Sequence, residues 1–247
     1  MDWREHDGVR WLEAELPGAR AHFSTRLGGV SDGAFRSLNL GLLTGDEPDA
    51  VRENRHRLAG ALGIDPRDVL IGRQVHAAAV AWHDDRQPEQ AFAEPGPQLD
   101  EFDGQATASE SLAPLVLVAD CLPVALAGPG GVAMAHCGWR GLATGVIAHG
   151  VEAVGARAAA IGPGIGACCY EVGEEVLEAF EGLGPPVAEG RMLDLVGIAR
   201  RLLAESGVRD VETSGLCTSC NDELFFSHRR DSGHTGRQAG VVRRWSS

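Results

Sequence analysis

Lysine is missing from this sequence: all 22 basic side chains in its 247 residues are arginines. Every side-chain cation is therefore a planar, permanently charged guanidinium. That excludes mechanisms built on a lysine amine, among them Schiff bases, pyridoxal anchors, phosphate-loop lysines and kinase-type ion pairs. Arginine-biased codon usage accounts for the absence, and the exclusion holds whatever its cause. Positive charge is scarce as well, since 35 carboxylates leave a net charge of −13. Such a balance disfavours nucleic acid and anionic membranes as partners, but leaves room for a small anion held by a few local arginines.

Apolar runs are short: none approaches the roughly 18 residues of a membrane span, and Met1 to Asp7 (MDWREHD) holds no apolar signal core. A soluble cytoplasmic protein is expected. Six cysteines are too few for the disulfide framework of a small secreted domain, so free thiols or metal ligands are expected. With 44% apolar residues, no repeat and no low-complexity block, the chain can bury a sizeable core. The polar segment Asp84 to Pro97 carries three prolines and reads as an exposed loop within one domain, 1–247, rather than a boundary.

Apolar periodicity predicts helices over Asp49–Leu62, Leu142–Val154, Gly173–Phe180 and Leu193–Glu205. Strands are predicted over Ala21–Thr25, Val75–Trp82, Leu115–Ala119, Val132–His136, Ala158–Ile161, Val211–Ser214 and Val241–Trp245. The central strands follow one another too closely for crossover helices, which favours an α+β, mixed-sheet domain over a doubly wound parallel sheet.

Two polar clusters close apolar strands in the block Pro114–Gly141: Asp120-Cys121, and His136-Cys137-Gly138-Trp139-Arg140. Upstream, Gln74 and His76 fall on one face of the predicted Val75–Trp82 strand. Taken singly, such a cysteine packs in a core and such a histidine makes a structural hydrogen bond. Taken together, His76, Cys121 and His136 offer two imidazoles and a thiolate, a donor set suited to zinc with one position open. Their spacing fits no compact zinc signature. Asp120 is open to three readings: orienting a ligand histidine, general acid/base work, or capping a turn. Gln74 either contacts substrate or satisfies buried backbone.

Several long motifs then carry a resemblance. FSTRLGGVS (Phe23–Ser31), SLNLG (Ser37–Gly41), QVH (Gln74–His76), ADC (Ala119–Cys121), HCGWRG (His136–Gly141), IGPGIGACCYEVG (Ile161–Gly173) and SHRRDSGHTGR (Ser227–Arg237) resemble, in order, the YfiH/LACC1 family. Members have been called multicopper polyphenol oxidases, purine nucleoside phosphorylases and peptidoglycan editing factors. The resemblance implies a single domain with mixed sheets layered between helices, and a zinc site at His76, Cys121 and His136. It also implies phosphorolysis of adenosine, inosine, guanosine and methylthioadenosine, with adenosine deamination as a second activity.

Phosphorolysis needs an anion clamp, and here only arginine, backbone amides and metal can form one. Arg26 in the STRLGG loop and Arg140 in HCGWRG are the first candidates, with Arg229, Arg230 and Arg237 behind them; the alternative for each is an ordinary ion pair. The G-x-S-x-G match at Gly29–Gly33 lacks the helix of a nucleophile elbow. The G-x-G-x-x-A match at Gly162–Ala167 contains Pro163 and opens no helix, so no dinucleotide is expected. Cys217-Thr218-Ser219-Cys220 lacks a second pair and reads as packing rather than a redox or zinc motif.

The expected activity is a zinc-dependent purine nucleoside phosphorylase acting on small molecules. The main rival uses the same residues without metal, with Cys121 as nucleophile and His136 or His76 as base, in an amidase that edits peptidoglycan precursors. A copper-dependent polyphenol oxidase is less favoured, because nine scattered histidines do not match the ligand density of several copper centres. A non-catalytic zinc scaffold would need a fourth ligand such as Cys137, whose side chain should point away from that of His136.

Overall fold

The computed structural model describes residues 1–87, 92, 99–184 and 187–245. Most of the expected Asp84–Pro97 loop lies outside them. In chain order the strands are β1 (Asp2–His6), β2 (Val9–Leu16), β3 (Ala19–Ser24), β4 (Val69–Leu70), β5 (Val80–Trp82), β6 (Gly104–Thr107), β7 (Ala113–Val118), β8 (Leu122–Gly128), β9 (Gly131–Cys137), β10 (Ala158–Ile161), β11 (Ala188–Glu189), β12 (Met192–Leu193), β13 (Asp210–Thr213) and β14 (Gln238–Arg244). The helices are α1 (Pro48–Ala61), α2 (Trp139–Thr144), α3 (Val146–Val154), α4 (Glu174–Glu178) and α5 (Leu195–Glu205).

Two six-stranded sheets form, ordered β1-β2-β3-β14-β7-β4 and β13-β10-β8-β9-β6-β5, with β11 and β12 as a separate ribbon. Both sheets are mixed: β4 pairs parallel with β7 and β10 with β13, while β14 and β9 run antiparallel to their neighbours. Alternation along the strands sets the layers. Val116 and Val118 of β7, Met134 of β9 and Ala160 of β10 meet Ala14, Phe23 and Val242 between the sheets. Ala113 and Leu115 face outward onto Leu58 and Ala59 of α1. Leu122, Val124 and Leu126 of β8 face outward onto Leu142 of α2, Val146 and Val151 of α3 and Ile198 of α5. The central strands of both sheets are thus covered on both faces, which is why they read as continuous apolar runs, while the edge strand β1 is exposed. The expected mixed α+β layering is what forms.

Several local expectations need correction. The helix expected over Leu142–Val154 is broken at Gly145, whose φ of 100° lies in the left-handed region, so α2 and α3 are separate. The strand expected over Val75–Trp82 forms only as β5. His76 has φ 61°, so it and Gln74 do not share a strand face. The mostly apolar run reads as a strand, but its four alanines favour one weakly, and hydrogen bonds from Val75, His76 and Ala77 to Asp103 bend its first half away. The N-terminal hairpin β1-β2 carried too many charged residues to read as strands; it pairs from Asp2↔Glu13 to His6↔Val9.

His22 on β3 is buried opposite Glu13 on β2. Burial lowers its pKa to about 4; Glu13 opposes that shift, and Arg243 and Arg20 reinforce it. An unfolded histidine takes up a proton below about 6.5, whereas the folded one does not until about 4. Stability is therefore lost as pH falls between these values, by up to about 3 kcal/mol. His22→Asn should flatten this part of a melting-temperature profile; parallel profiles for the two proteins would contradict the assignment.

Candidate active site

The site lies where the chain passes from one sheet to the other. β7 belongs to the first sheet and β8 to the second, and the corner between them holds Asp120, at φ 87°, and Cys121. His136, near the end of β9, is paired with Pro123 on β8, which brings it beside the corner. His76 arrives on the loop before β5. The candidate ligand atoms of His76, Cys121 and His136 all lie within 4.8 Å of one another, and Cys121 Sγ is 3.8 Å from His76 Nε2.

Asp103, fully buried just before β6, organises this group. One carboxylate oxygen accepts the His76 N–H at 2.9 Å and contacts His136 Nδ1 at 2.7 Å; the other accepts the Val75 and Ala77 N–H groups at 3.1 and 2.7 Å. The same residue thus shapes the His76 loop and directs the other ring nitrogen of His136 toward the cluster. Burial opposes charge on Cys121 and on His136. Their mutual attraction, with the Asp103 hydrogen bond to the imidazole, prevails: the thiol is shifted down and the imidazole up.

The donor set fits a metal ion. A thiolate sulfur and an imidazole nitrogen sharing a tetrahedral zinc stand about 3.6 Å apart, given bond lengths of about 2.3 and 2.0–2.1 Å, close to the observed separation. Gly138 keeps the space clear, since a Cβ there would fall 3.0 Å from both Cys121 Sγ and His76 Cδ2. Cys137 points instead into the core.

The other expected residues divide. Both ends of the Gln74 amide bond the Leu117 backbone, at 2.7 and 2.8 Å. Both oxygens of Asp120 are also engaged, by the Thr218 hydroxyl at 2.6 Å and the Arg229 N–H at 2.7 Å, so it ties two C-terminal loops to the corner. Arg26 donates to the carbonyls of Arg36 and Asp222 and lies over Phe226. Its charged neighbours are Arg230, Asp231, Asp222 and Arg36, none of them in the cluster. Arg140 is exposed over the Trp139 ring.

Tyr170, the only tyrosine, belongs to the rim. Burial, then the charge of Cys121, pushes its phenol up to about 12; Arg229 and Arg140 oppose this rise and Asp120 adds to it. The Arg229 guanidinium carbon lies 5.2 Å from the Tyr170 ring centroid. Arg237 is half-buried: burial lowers its pKa, while Cys121 and Asp120 counteract the shift, which places it within electrostatic reach of the cluster. Arg237 is thus within electrostatic reach of Cys121 and Asp120, Arg229 and Arg140 within reach of Tyr170, and Arg26 stands apart.

Residues 20–244 match the family model described as multi-copper polyphenol oxidoreductase laccase. The chain belongs to this laccase-domain family. Among relatives, it is 37% identical to the purine nucleoside phosphorylase YlmD of Geobacillus stearothermophilus, over 95% of this chain and 94% of that one. It is 41% identical to a purine nucleoside phosphorylase of Deinococcus radiodurans, over 89% and 87%. The crystal structure of YfiH from Bacillus licheniformis superposes with a TM-score of 0.87 at 33% identity, covering 98% of both chains. Membership of the laccase-domain family agrees with the resemblance carried by the motifs.

Sequence reasoning missed Asp103 and Tyr170. Tyr170 left a faint signal as the single tyrosine, inside the CCYEVG motif, whereas Asp103 left none, since the strand it precedes reads GQAT and is not an apolar run. The reading of Cys217–Cys220 as an unpaired motif is also corrected, because the adjacent Cys168 and Cys169 lie against it.

Proposed function

We propose that this laccase-domain protein is a purine nucleoside phosphorylase whose His76, Cys121 and His136 hold zinc. The observation that carries the reading is this thiolate–imidazole group, with the charge of Cys121 felt by Arg237 and Tyr170, in a chain 37–41% identical to proteins bearing that name. Zinc supplies Lewis-acid charge at the centre of the group when bound. Arg237, Arg229 and Arg140 supply the cationic contacts that gather phosphate, in a molecule with no lysine to share the task. The Tyr170 ring, flanked by Arg229, offers an aromatic face to a purine. Held together there, a phosphate oxygen bonds C1′ of the ribose as the glycosidic electron pair leaves with the base, giving ribose 1-phosphate. Asp103 and Asp120 keep the geometry, Asp103 through His136 and the His76 loop, Asp120 through the loops that carry Thr218 and Arg229.

The donor set favours zinc over copper: among the described residues two histidines and one cysteine gather at the site, far short of the several histidine-rich centres of a laccase. Incubation of adenosine and inosine with the protein should release purine base only when phosphate is present, with ribose 1-phosphate as co-product. Conversion of adenosine to inosine in the same assay would register deamination. Base release that ignores phosphate would contradict the reading.

One observation supports a second reading. Cys121, His136 and Asp103 form a nucleophile, base and carboxylate series of the kind used by cysteine amidases. Turnover of a peptidoglycan-precursor amide that survives metal removal, without action on nucleosides, would favour it.

A further inference from the structure

We propose that Cys168, Cys169, Cys217 and Cys220 bind one zinc ion in a closed tetrathiolate site, separate from the His76 group. The two pairs come together because β10 and β13 run side by side in parallel, and the loops that leave them stay joined by the bridge Gly164↔Cys217. All four sulfurs lie within 4.8 Å of one another; Cys220 Sγ is 3.5 Å from that of Cys168 and 3.4 Å from that of Cys169. Thiolates sharing a tetrahedral zinc stand about 3.8 Å apart, from a bond length of about 2.3 Å. None of the six cysteines is in a disulfide. An iron–sulfur cluster holds its thiolates farther apart, so the spacing suits a single ion.

The surrounding backbone is built for the same purpose. The Gly166 N–H donates to Cys217 Sγ at 3.2 Å, partly balancing thiolate charge. A Cβ on Gly166 would stand 3.2 Å from Cys168 Sγ and 3.3 Å from Cys217 Cβ, so glycine here lets the sulfurs close without displacing either cysteine. On binding, the four thiols release their protons and Zn²⁺ keeps its oxidation state. With four protein ligands no position is left for substrate, which makes the site structural.

Its place gives it a consequence for the cluster. Tyr170 follows Cys169 directly, and Thr218, between the other two cysteines, holds Asp120. An ion here fastens the rim to the corner that carries Cys121.

Zinc per chain, measured on the purified wild type and on Cys168→Ser/Cys220→Ser, should fall by one in the variant, whatever the His76 group holds. Both replaced side chains are exposed, which favours a folded variant. Cobalt substitution of the wild type supplies the second measurement, with the strong sulfur-to-metal absorption of a tetrathiolate expected even after Cys121→Ser. Unchanged zinc content in the variant, disulfide bridges among these thiols in the native chain, or an iron–sulfur spectrum would overturn the proposal.

Discussion

Cys121→Ser should abolish metal binding at the His76 group and lower kcat/KM for nucleoside phosphorolysis at least about 10²-fold, the size expected when several kcal/mol of metal-derived charge stabilisation is lost. Serine keeps the shape of the side chain but not its charge: a hydroxyl beside two imidazoles stays protonated, whereas His136 already draws the Cys121 thiol toward thiolate. Removing that anion leaves two neutral donors, a weak set for zinc. The fold should tolerate the change, because Cys121 is only partly buried and its corner is held by Asp120 through Thr218, Arg229 and Ile165. Elemental analysis with a thermal melt checks both parts. A variant that retains its full zinc content would refute the ligand set.

Asp103→Asn should cost both stability and activity. The Asp103 carboxylate faces four donors, two on each oxygen. An amide replaces one oxygen with an NH₂ group, so two of those donors lose their partner in a fully buried place. The cost is about 3 kcal/mol, the lower end for breaking a buried charged contact. That corresponds to a melting temperature lower by roughly 6–12 °C in a chain of this size. If the amide nitrogen faces His136, the imidazole loses its orienting acceptor as well, and activity should drop roughly 10- to 100-fold. Melting and kinetics on the same preparation check the pair of effects; a variant as stable and active as the wild type would remove Asp103 from its organising role.

Much of this was legible in the sequence where a local pattern and its tertiary setting agree. Ala158–Ile161 reads as a strand from composition and forms as one, residue for residue. β7 and β9 read as strands because both their faces are buried. His76, Cys121 and His136 stood out as chemistry at the ends of apolar runs, and the motifs around them carried the family. The loop at His76 was not legible, since its N–H groups answer to a carboxylate distant in sequence rather than to their own apolar pattern. The four-cysteine cluster was hidden for a related reason: its halves lie on loops after strands that become neighbours only in the sheet, and an adjacent pair fits no spacing rule. Arg26 drew attention through its glycine-rich motif. That motif does fold as a loop, held by Asn54, which accepts from Val30 and donates to Ser31 and Asn39, but it sets Arg26 among Arg230, Asp231 and Asp222 rather than beside the cluster.

The metal-centred reading meets its most direct test in the yield of ribose 1-phosphate from inosine and phosphate, measured on protein stripped by a chelator and then reloaded with zinc, beside Cys121→Ser treated in the same way. Stripped wild type should be inactive and regain turnover on reloading, while Cys121→Ser should regain none. Full turnover by metal-free wild type, or equal recovery in the variant, would contradict the assignment of His76, Cys121 and His136 as the centre of the reaction.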